Sequence, residues 1–312
     1  MEYRTRTNGS DANINNSTTL AFTNNLNSNG SVITAPNNNR LSPNTSGYYV
    51  AVAMIEGSAN VGEGDSRQTP RMRFTKNGTS GRAISEHGYQ RTDGLDTGLF
   101  LKDVFQLANG DYVDGRTVQG GEAGNAGSWV ADYSQSYFRL EEMLIAPGET
   151  APVFLARSSS NTTGVQRSSI NSIVTVDFNN TYLSNGSYIT YSNSGRFNVS
   201  KDGLYRVHAH IAVGSASDQR SSPRLRFRKN GSTYTEAIGE MGYIRASSHF
   251  AASVVNEDVV TLSNGDYVEA ILQNSGSGAT QGFPGSQDTS LNYGGQSNNC
   301  IMWVEYLGPV VT

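Results

Sequence analysis

The chain is 312 residues long with a net charge of −4, and 16% of its residues are charged, against roughly 25% in an average globular protein. With an isoelectric point near 5.6 and no concentrated basic stripe, it is not expected to bind nucleic acid, which calls for a basic face. A single cysteine, Cys300, excludes an intrachain disulfide framework, and no apolar run approaches the length of about 18 residues that a membrane-spanning helix needs.

Apolar and polar residues alternate with period two and helical periodicity is nearly absent, which predicts an all-β chain of short strands. Glycine, at 34 residues against 8 prolines, supplies the turns together with asparagine and serine. The first predicted strand, Tyr3-Arg4-Thr5-Arg6, is poor in apolar side chains. Further on, Tyr49, Ala51, Ala53 and Ile55 predict a core face, while Tyr48, Val50, Val52 and Met54 make the opposite face apolar as well. A strand apolar on both sides needs cover on both sides, from another subunit or from the chain itself. Next come a strand from Pro70 that ends in the Asn77-Gly78 turn, and a segment from Leu107 to Val113 that holds the Asn109-Gly110-Asp111 turn.

The second half repeats the first. Ser28-Asn29-Gly30-Ser31-Val32-Ile33-Thr34 returns 156 positions later as Ser184-Asn185-Gly186-Ser187-Tyr188-Ile189-Thr190, and Gly47-Tyr48-Tyr49-Val50 returns as Gly203-Leu204-Tyr205-Arg206. Pro70-Arg71-Met72-Arg73-Phe74-Thr75-Lys76-Asn77-Gly78 answers to Pro223-Arg224-Leu225-Arg226-Phe227-Arg228-Lys229-Asn230-Gly231 at an offset of 153, and Leu107-Ala108-Asn109-Gly110-Asp111-Tyr112-Val113 to Leu262-Ser263-Asn264-Gly265-Asp266-Tyr267-Val268 at 155. A period this long predicts two tandem domains rather than a solenoid. Copy one is expected over residues 1–145, a linker over Ala146-Pro147-Gly148-Glu149-Thr150, and copy two over 151–312. Both are expected to be antiparallel jelly-roll sandwiches, with an elaborated loop in copy two from Gln273 to Asn299.

Copy two adds an ordered series: Val153-Phe154-Leu155-Ala156-Arg157, Val176-Asp177-Phe178, Gly195-Arg196-Phe197-Asn198-Val199, Asp202-Gly203-Leu204-Tyr205-Arg206-Val207, Arg228-Lys229-Asn230-Gly231, Leu262 to Val268, and Ile301-Met302-Trp303-Val304-Glu305-Tyr306-Leu307. In that order the segments resemble the globular-head domain of the complement family, within the tumour-necrosis-factor-like jelly-roll superfamily, over nearly the whole copy. Copy one departs from the pattern in its first strand. The resemblance implies a ten-strand-type jelly roll that assembles as a tight homotrimer, with the sheet of the Gly-x-Tyr strand and the last strand facing the threefold axis. Tyr48, Val50, Val52, Met54, His208, His210 and Trp303 are therefore expected at the trimer interface.

His208 and His210 share a strand face and stand where copy one has Val52 and Met54. Three readings stay open for them: a subunit boundary that weakens on protonation, the start of a metal site that lacks further ligands, or simple packing. Arg224, Arg226 and Arg228 alternate with Leu225 and Phe227, echoed by Arg71 and Arg73. That cationic row suits an anionic polysaccharide or an acidic neighbour, and equally a solvated face paired with its own carboxylates. Tyr243, Phe283 and Tyr293 are candidate ligand contacts around the long loop.

No catalytic constellation emerges. Gln119-Gly120-Gly121-Glu122-Ala123-Gly124 does not lie between a strand and a helix, Glu141 and Glu142 point to opposite faces, and Cys300 reads as a buried group on the last strand. Glu63 and Asp65 lack the ligand spacing of a calcium loop. The chain is thus expected to be non-enzymatic, with no cofactor and no metal. The leading expectation is a trimeric structural protein of a virion, as a capsid decoration or short surface appendage of a bacteriophage. The alternative is a carbohydrate-binding, receptor-binding module of a tail appendage, and a depolymerase stands third. Expected partners are two further copies, other virion proteins of capsid or tail, and a cell-surface glycan, without nucleic acid or membrane insertion. No charged and apolar leader opens the sequence, so a virion-surface protein made in the host cytoplasm is expected, with an extracellular location as the alternative.

Overall fold

A computed structural model describes residues 2–6, 12–13, 18–22, 24–27, 32–37, 39–59, 69–86, 96–120, 129–159, 173–192, 194–215, 223–233, 238–240, 252–274, 291–293 and 300–311. The chain divides into two compact units, Met1–Met143 and Leu144–Thr312. The described elements are all strands. In the first unit they are β1 (Glu2–Arg6), β2 (Ala12–Asn13), β3 (Thr18–Thr19), β4 (Asn24–Asn27), β5 (Ile33–Asn37), β6 (Arg40–Pro43), β7 (Gly47–Ala59), β8 (Thr69–Lys76), β9 (Thr79–Glu86), β10 (Asp96–Leu107), β11 (Val113–Gly120) and β12 (Trp129–Glu142). The second unit continues with β13 (Val153–Ser159), β14 (Ile173–Thr175), β15 (Asn180–Asn185), β16 (Ile189–Ser192), β17 (Arg196–Val199), β18 (Gly203–Ser215), β19 (Pro223–Lys229), β20 (Ser232–Thr233), β21 (Gly239–Glu240), β22 (Ala252–Leu262), β23 (Tyr267–Asn274), β24 (Leu291–Tyr293) and β25 (Cys300–Gly308).

Each unit is an antiparallel two-sheet jelly roll, and the strand order is the same in both. One sheet runs β10-β7-β12-β1-β4 in the first unit and β22-β18-β25-β13-β15 in the second. The other runs β5-β6-β11-β8-β9 and β16-β17-β23-β19-β20, with β3 added to β11 and β14 to β23. The first strand, despite its polar sequence, is paired between β12 and β4, with Tyr3 opposite Leu140. On β7, Tyr49, Ala51, Ala53 and Ile55 all face a closed core, in which Phe74 and Phe138 stack at 5.6 Å between ring centroids. Tyr205, Val207, Ala209 and Ile211 take the same places on β18, packed with Met302, Val304 and Phe227.

The repeated words of the sequence turn out to be partners of one another. Asn77 and Gly78, with φ of 51° and 79°, form the tight turn between β8 and β9, and Asn230 and Gly231 repeat it at 51° and 78° between β19 and β20. The Asn77 amide donates to one carboxylate oxygen of Asp111 at 2.7 Å and accepts from the Tyr112 backbone N–H at 2.9 Å. The other Asp111 oxygen accepts from the Ala108 N–H at 2.8 Å and lies 2.9 Å from the Lys76 ammonium. In the second unit Asn230, Tyr267, Ser263 and Lys229 place the same four contacts around Asp266 at 2.7, 3.0, 2.8 and 2.9 Å. Lys-Asn-Gly and Asn-Gly-Asp are therefore two halves of one clamp, which ties a hairpin of one sheet to the corner where the chain crosses from the other. Asp111 is held down to about 2, chiefly by the Ala108 N–H, with Asn77 and Lys76 adding to it. Burial pushes Asp266 upward, but Asn230, Lys229 and the Ser263 N–H bring it to about 2 as well.

The Gly-x-Tyr words also have a local reason. The Tyr205 hydroxyl donates to the Lys201 carbonyl at 2.6 Å, as Tyr49 does to Thr45 at 3.0 Å. A Cβ on Gly203 would lie 2.4 Å from the Tyr306 ring and 2.5 Å from the Gly308 carbonyl, whereas one on Gly47 would meet nothing closer than 3.4 Å. Gly203→Ala is therefore expected to cost about 1–3 kcal/mol in urea denaturation, and Gly47→Ala less than about 1 kcal/mol. Equal costs at the two sites would contradict this packing. The segment expected as a linker is held against the second unit. Ala146 belongs to its core, and Glu149 accepts from the Tyr188 hydroxyl at 3.0 Å and pairs with Lys201.

Candidate functional site

In both units the sheet that carries the Gly-x-Tyr strand is covered on its second face. His208, His210 and Trp303 are 0% exposed in the single chain, as is Ala156, and Phe154 is buried beside them. Register explains the grouping, because His208 lies opposite Trp303 on β25 and Trp303 lies opposite Ala156 on β13. The His208 and Trp303 rings are 5.2 Å apart at 30°, and His208 Nδ1 stands 3.2 Å from a carboxylate oxygen of Glu257 on β22. Beside them Arg206 donates to the buried Glu305 at 2.8 Å. In the first unit Val50 and Val52 are 4% and 1% exposed, and Tyr48 and Met54 are half-buried. Of the residues expected at a trimer interface, the centre of the face is thus already under cover. The accessible parts are Tyr48 and Met54 in the first unit and, in the second, Val259, 47% exposed on the edge strand β22.

The second sheet carries the arginines outward, while Leu225 and Phe227 point into the core. Arg224 donates to Glu240 at 3.0 Å from the neighbouring edge strand β21. Arg228 donates to Glu269 at 3.4 Å, and Glu269 on β23 is also 3.6 Å from Arg196. Glu269 is 3% exposed, so the arginines roof a sunken carboxylate, an arrangement in which the charges compensate one another. The first unit repeats the plan with Asp114, buried and paired with Arg116 at 3.1 Å and bonded to the Thr75 hydroxyl. Arg40 stacks over the Tyr112 ring at 4.0 Å and Arg196 over Tyr267 at 4.3 Å. The sequence contained the signal for that stack, since Arg40 and Arg196 stand 156 positions apart, but only the fold places each on its tyrosine.

Between the paired arginines sit two that differ. Arg73 and Arg226, at equivalent positions, have a buried Nε without a hydrogen-bond acceptor, as Arg228 does, and unlike Arg228 show no carboxylate partner at another nitrogen among the described residues. Arg73 lies opposite Ile84 on its edge side and opposite Arg116 on the other. Ile238, 42% exposed, stands two residues before Glu240 on the edge beside Arg226. Ala83-Ile84-Ser85-Glu86 and Ala237-Ile238-Gly239-Glu240 are a further recurring word; its glutamate stands opposite Arg71 in one unit and Arg224 in the other, and in the first unit its isoleucine stands opposite Arg73.

Tyr293 lies on β24, with its backbone opposite Val213. Tyr243 and Phe283 lie outside the described residues, as do Glu63, Asp65 and most of the loop from Gln273 to Asn299. Cys300 is fully buried, and its thiol donates to the Ala212 carbonyl at 3.6 Å.

The fold thus defines an all-β protein of two tandem jelly-roll units. No family model and no curated protein matches the chain. Among solved structures it is similar to murine APRIL at pH 5.0, with 12% identity, 50% of this chain and 99% of that chain covered, and a TM-score of 0.34. It is also similar to the globular domain of zebrafish complement 1qA protein, at 17% identity, 50% and 96% coverage and a TM-score of 0.30. The Eiger TNF of S. frugiperda aligns at 16% identity, with 52% and 96% covered and a TM-score of 0.34.

Proposed function

We propose that the chain is a non-enzymatic structural protein that assembles as a homotrimer on the surface of a virion, as a capsid decoration or short appendage of a phage. The observation that carries the assembly reading is the rim of the Gly-x-Tyr sheet. On that sheet of the first unit Tyr48 and Met54 remain partly accessible beside the covered Val50 and Val52, and on the equivalent sheet of the second unit Val259 is exposed on the edge strand. The virion assignment rests on the sequence: two compact jelly rolls, a surface of amides and hydroxyls, a low charged fraction of 16% and no catalytic constellation. Light scattering of the purified chain is expected to give three times 33.5 kDa at neutral pH. Tyr48→Glu with Val259→Glu is expected to reduce the trimer to a monomer, because a carboxylate buried without a partner is costly. A monomeric parent at all concentrations overturns the trimer. Co-sedimentation with purified phage particles tests the location, and failure to bind particles that lack the protein overturns it.

A further inference from the structure

The arginine-bearing faces contain a repeated feature that the assembly reading does not use. On β19 the two outer arginines of the row are satisfied within the chain, Arg224 by Glu240 and Arg228 by Glu269. Among the described residues the middle one, Arg226, has neither ion pair nor hydrogen bond; its Nε, like that of Arg228, is a buried donor without an acceptor. On β8 the equivalent residue, Arg73, which stands between Arg71 and Thr75, likewise shows no ion pair or hydrogen bond among the described residues. A buried donor left unmade is unfavourable; Arg228 shares the open Nε but has a carboxylate at another nitrogen, whereas for Arg73 and Arg226 the described residues supply no acceptor at all.

We propose that Arg73 and Arg226 are anion-binding positions, and that the ligand is an acidic polysaccharide bearing carboxylate or sulfate groups. The guanidinium fork matches either group bidentately; around Arg226 the two flanking arginines, held in place by their own carboxylates, keep the local field positive, and Arg73 has Arg71 beside it on its strand and Arg116 opposite. Around Glu269 the described charged side chains of the face are four arginines, Arg196, Arg224, Arg226 and Arg228, against Glu269 and Glu240. This cationic surplus lies on a chain whose net charge is −4, so it is a local feature and not a consequence of overall charge. The rest of the face selects between anionic partners. An acidic protein would need a desolvated apolar or aromatic centre, whereas here Ile271 is sunk beneath the row and the positions around it are Thr175, Gln273, Asn198 and Tyr267. Such amide and hydroxyl groups beside a guanidinium suit the hydroxyls and acid groups of a sugar chain. Because Arg73 and Arg226 show no polar partner among the described residues, replacing them by glutamine breaks no ion pair or hydrogen bond given for them there, which separates this role from a structural one.

The test uses the full-length chain immobilised on an interferometry sensor, with polygalacturonate, dextran sulfate, neutral dextran and polyglutamate as probes. Polygalacturonate and dextran sulfate are expected to bind, more weakly as salt rises, and neutral dextran not to bind. Arg73→Gln with Arg226→Gln is expected to weaken binding by about tenfold or more, with each single variant in between and the melting temperature unchanged. Arg73→Lys with Arg226→Lys keeps stem and charge but loses the fork, and is also expected to bind more weakly. This second pair decides the matter where the glutamine variants shift melting. The inference is overturned by the absence of binding to either acidic glycan, or by binding unchanged in both double variants. It is overturned in favour of an acidic protein partner if polyglutamate binds as tightly as polygalacturonate. None of these outcomes depends on whether the chain is a trimer.

Discussion

Trp303→Ala is expected to lower the stability of the second unit by about 3–5 kcal/mol, the cost of emptying a large buried aromatic site. Trp303 is the largest fully buried side chain among the described residues, yet it does not belong to the sandwich core, which takes its neighbours Met302 and Val304 instead. It sits on the opposite face of β25, against the His208 ring and over Ala156. Were that face an open surface awaiting another copy, the substitution would cost the isolated chain little and would act on assembly alone. Because the face is closed within the chain, the cost falls on folding, and a urea titration followed by far-UV circular dichroism reads it directly. Trp303→Phe refills part of the site and is expected to recover more than half of the loss. A change below about 1 kcal/mol for the alanine variant would mean that Trp303 is not part of a second buried layer, since surface substitutions rarely exceed that size.

What the sequence made legible, and what it hid, divides along one line. Period-two patterning on Tyr49 to Ile55 and Tyr205 to Ile211 gave the core faces directly, because a strand alternates its sides whatever it pairs with. The asparagine and glycine turns were equally plain, because positive φ is a local demand. The partner of each turn was not, because Asn77 meets Asp111 and Asn230 meets Asp266 only after the chain has crossed between sheets. The arginine row illustrates the same limit. Alternation placed Arg224, Arg226 and Arg228 on one face, but their carboxylates come from separate strands, Glu240 on β21 and Glu269 on β23, so the sequence could not say which arginine would be left over. The second apolar face of β7 was readable from Val50 and Val52, whereas its cover within the chain was not, since patterning reports that a face is buried and not what buries it.

The double variant Asp111→Asn with Asp266→Asn is expected to lose about 1–3 kcal/mol in each unit at neutral pH, because each substitution removes a charged acceptor from a backbone N–H, an asparagine amide and a lysine. The two losses fall in different units and are expected to add. Their pH dependence identifies the source. Both carboxyls have a folded pKa of about 2, below the ordinary value of 3.8. A group depressed in the folded state stabilises fully above its unfolded pKa, and that contribution disappears as pH falls through the folded value. Parent and variant are therefore expected to differ most at and above about pH 5, to approach one another between about pH 4 and pH 2, and to be nearly equal below. Asparagine cannot titrate, so the acid limb of the variant's stability curve is expected to be shallower than the parent's. Urea midpoints measured at half-unit steps from neutral pH to about pH 2 give both curves, with the tryptophans reporting separately because Trp129 lies in one unit and Trp303 in the other. A gap that persists undiminished at about pH 2 would assign the loss to the altered shape of the clamp, and the charge of Asp111 and Asp266 would then not be what locks the Lys-Asn-Gly hairpin to the Asn-Gly-Asp corner.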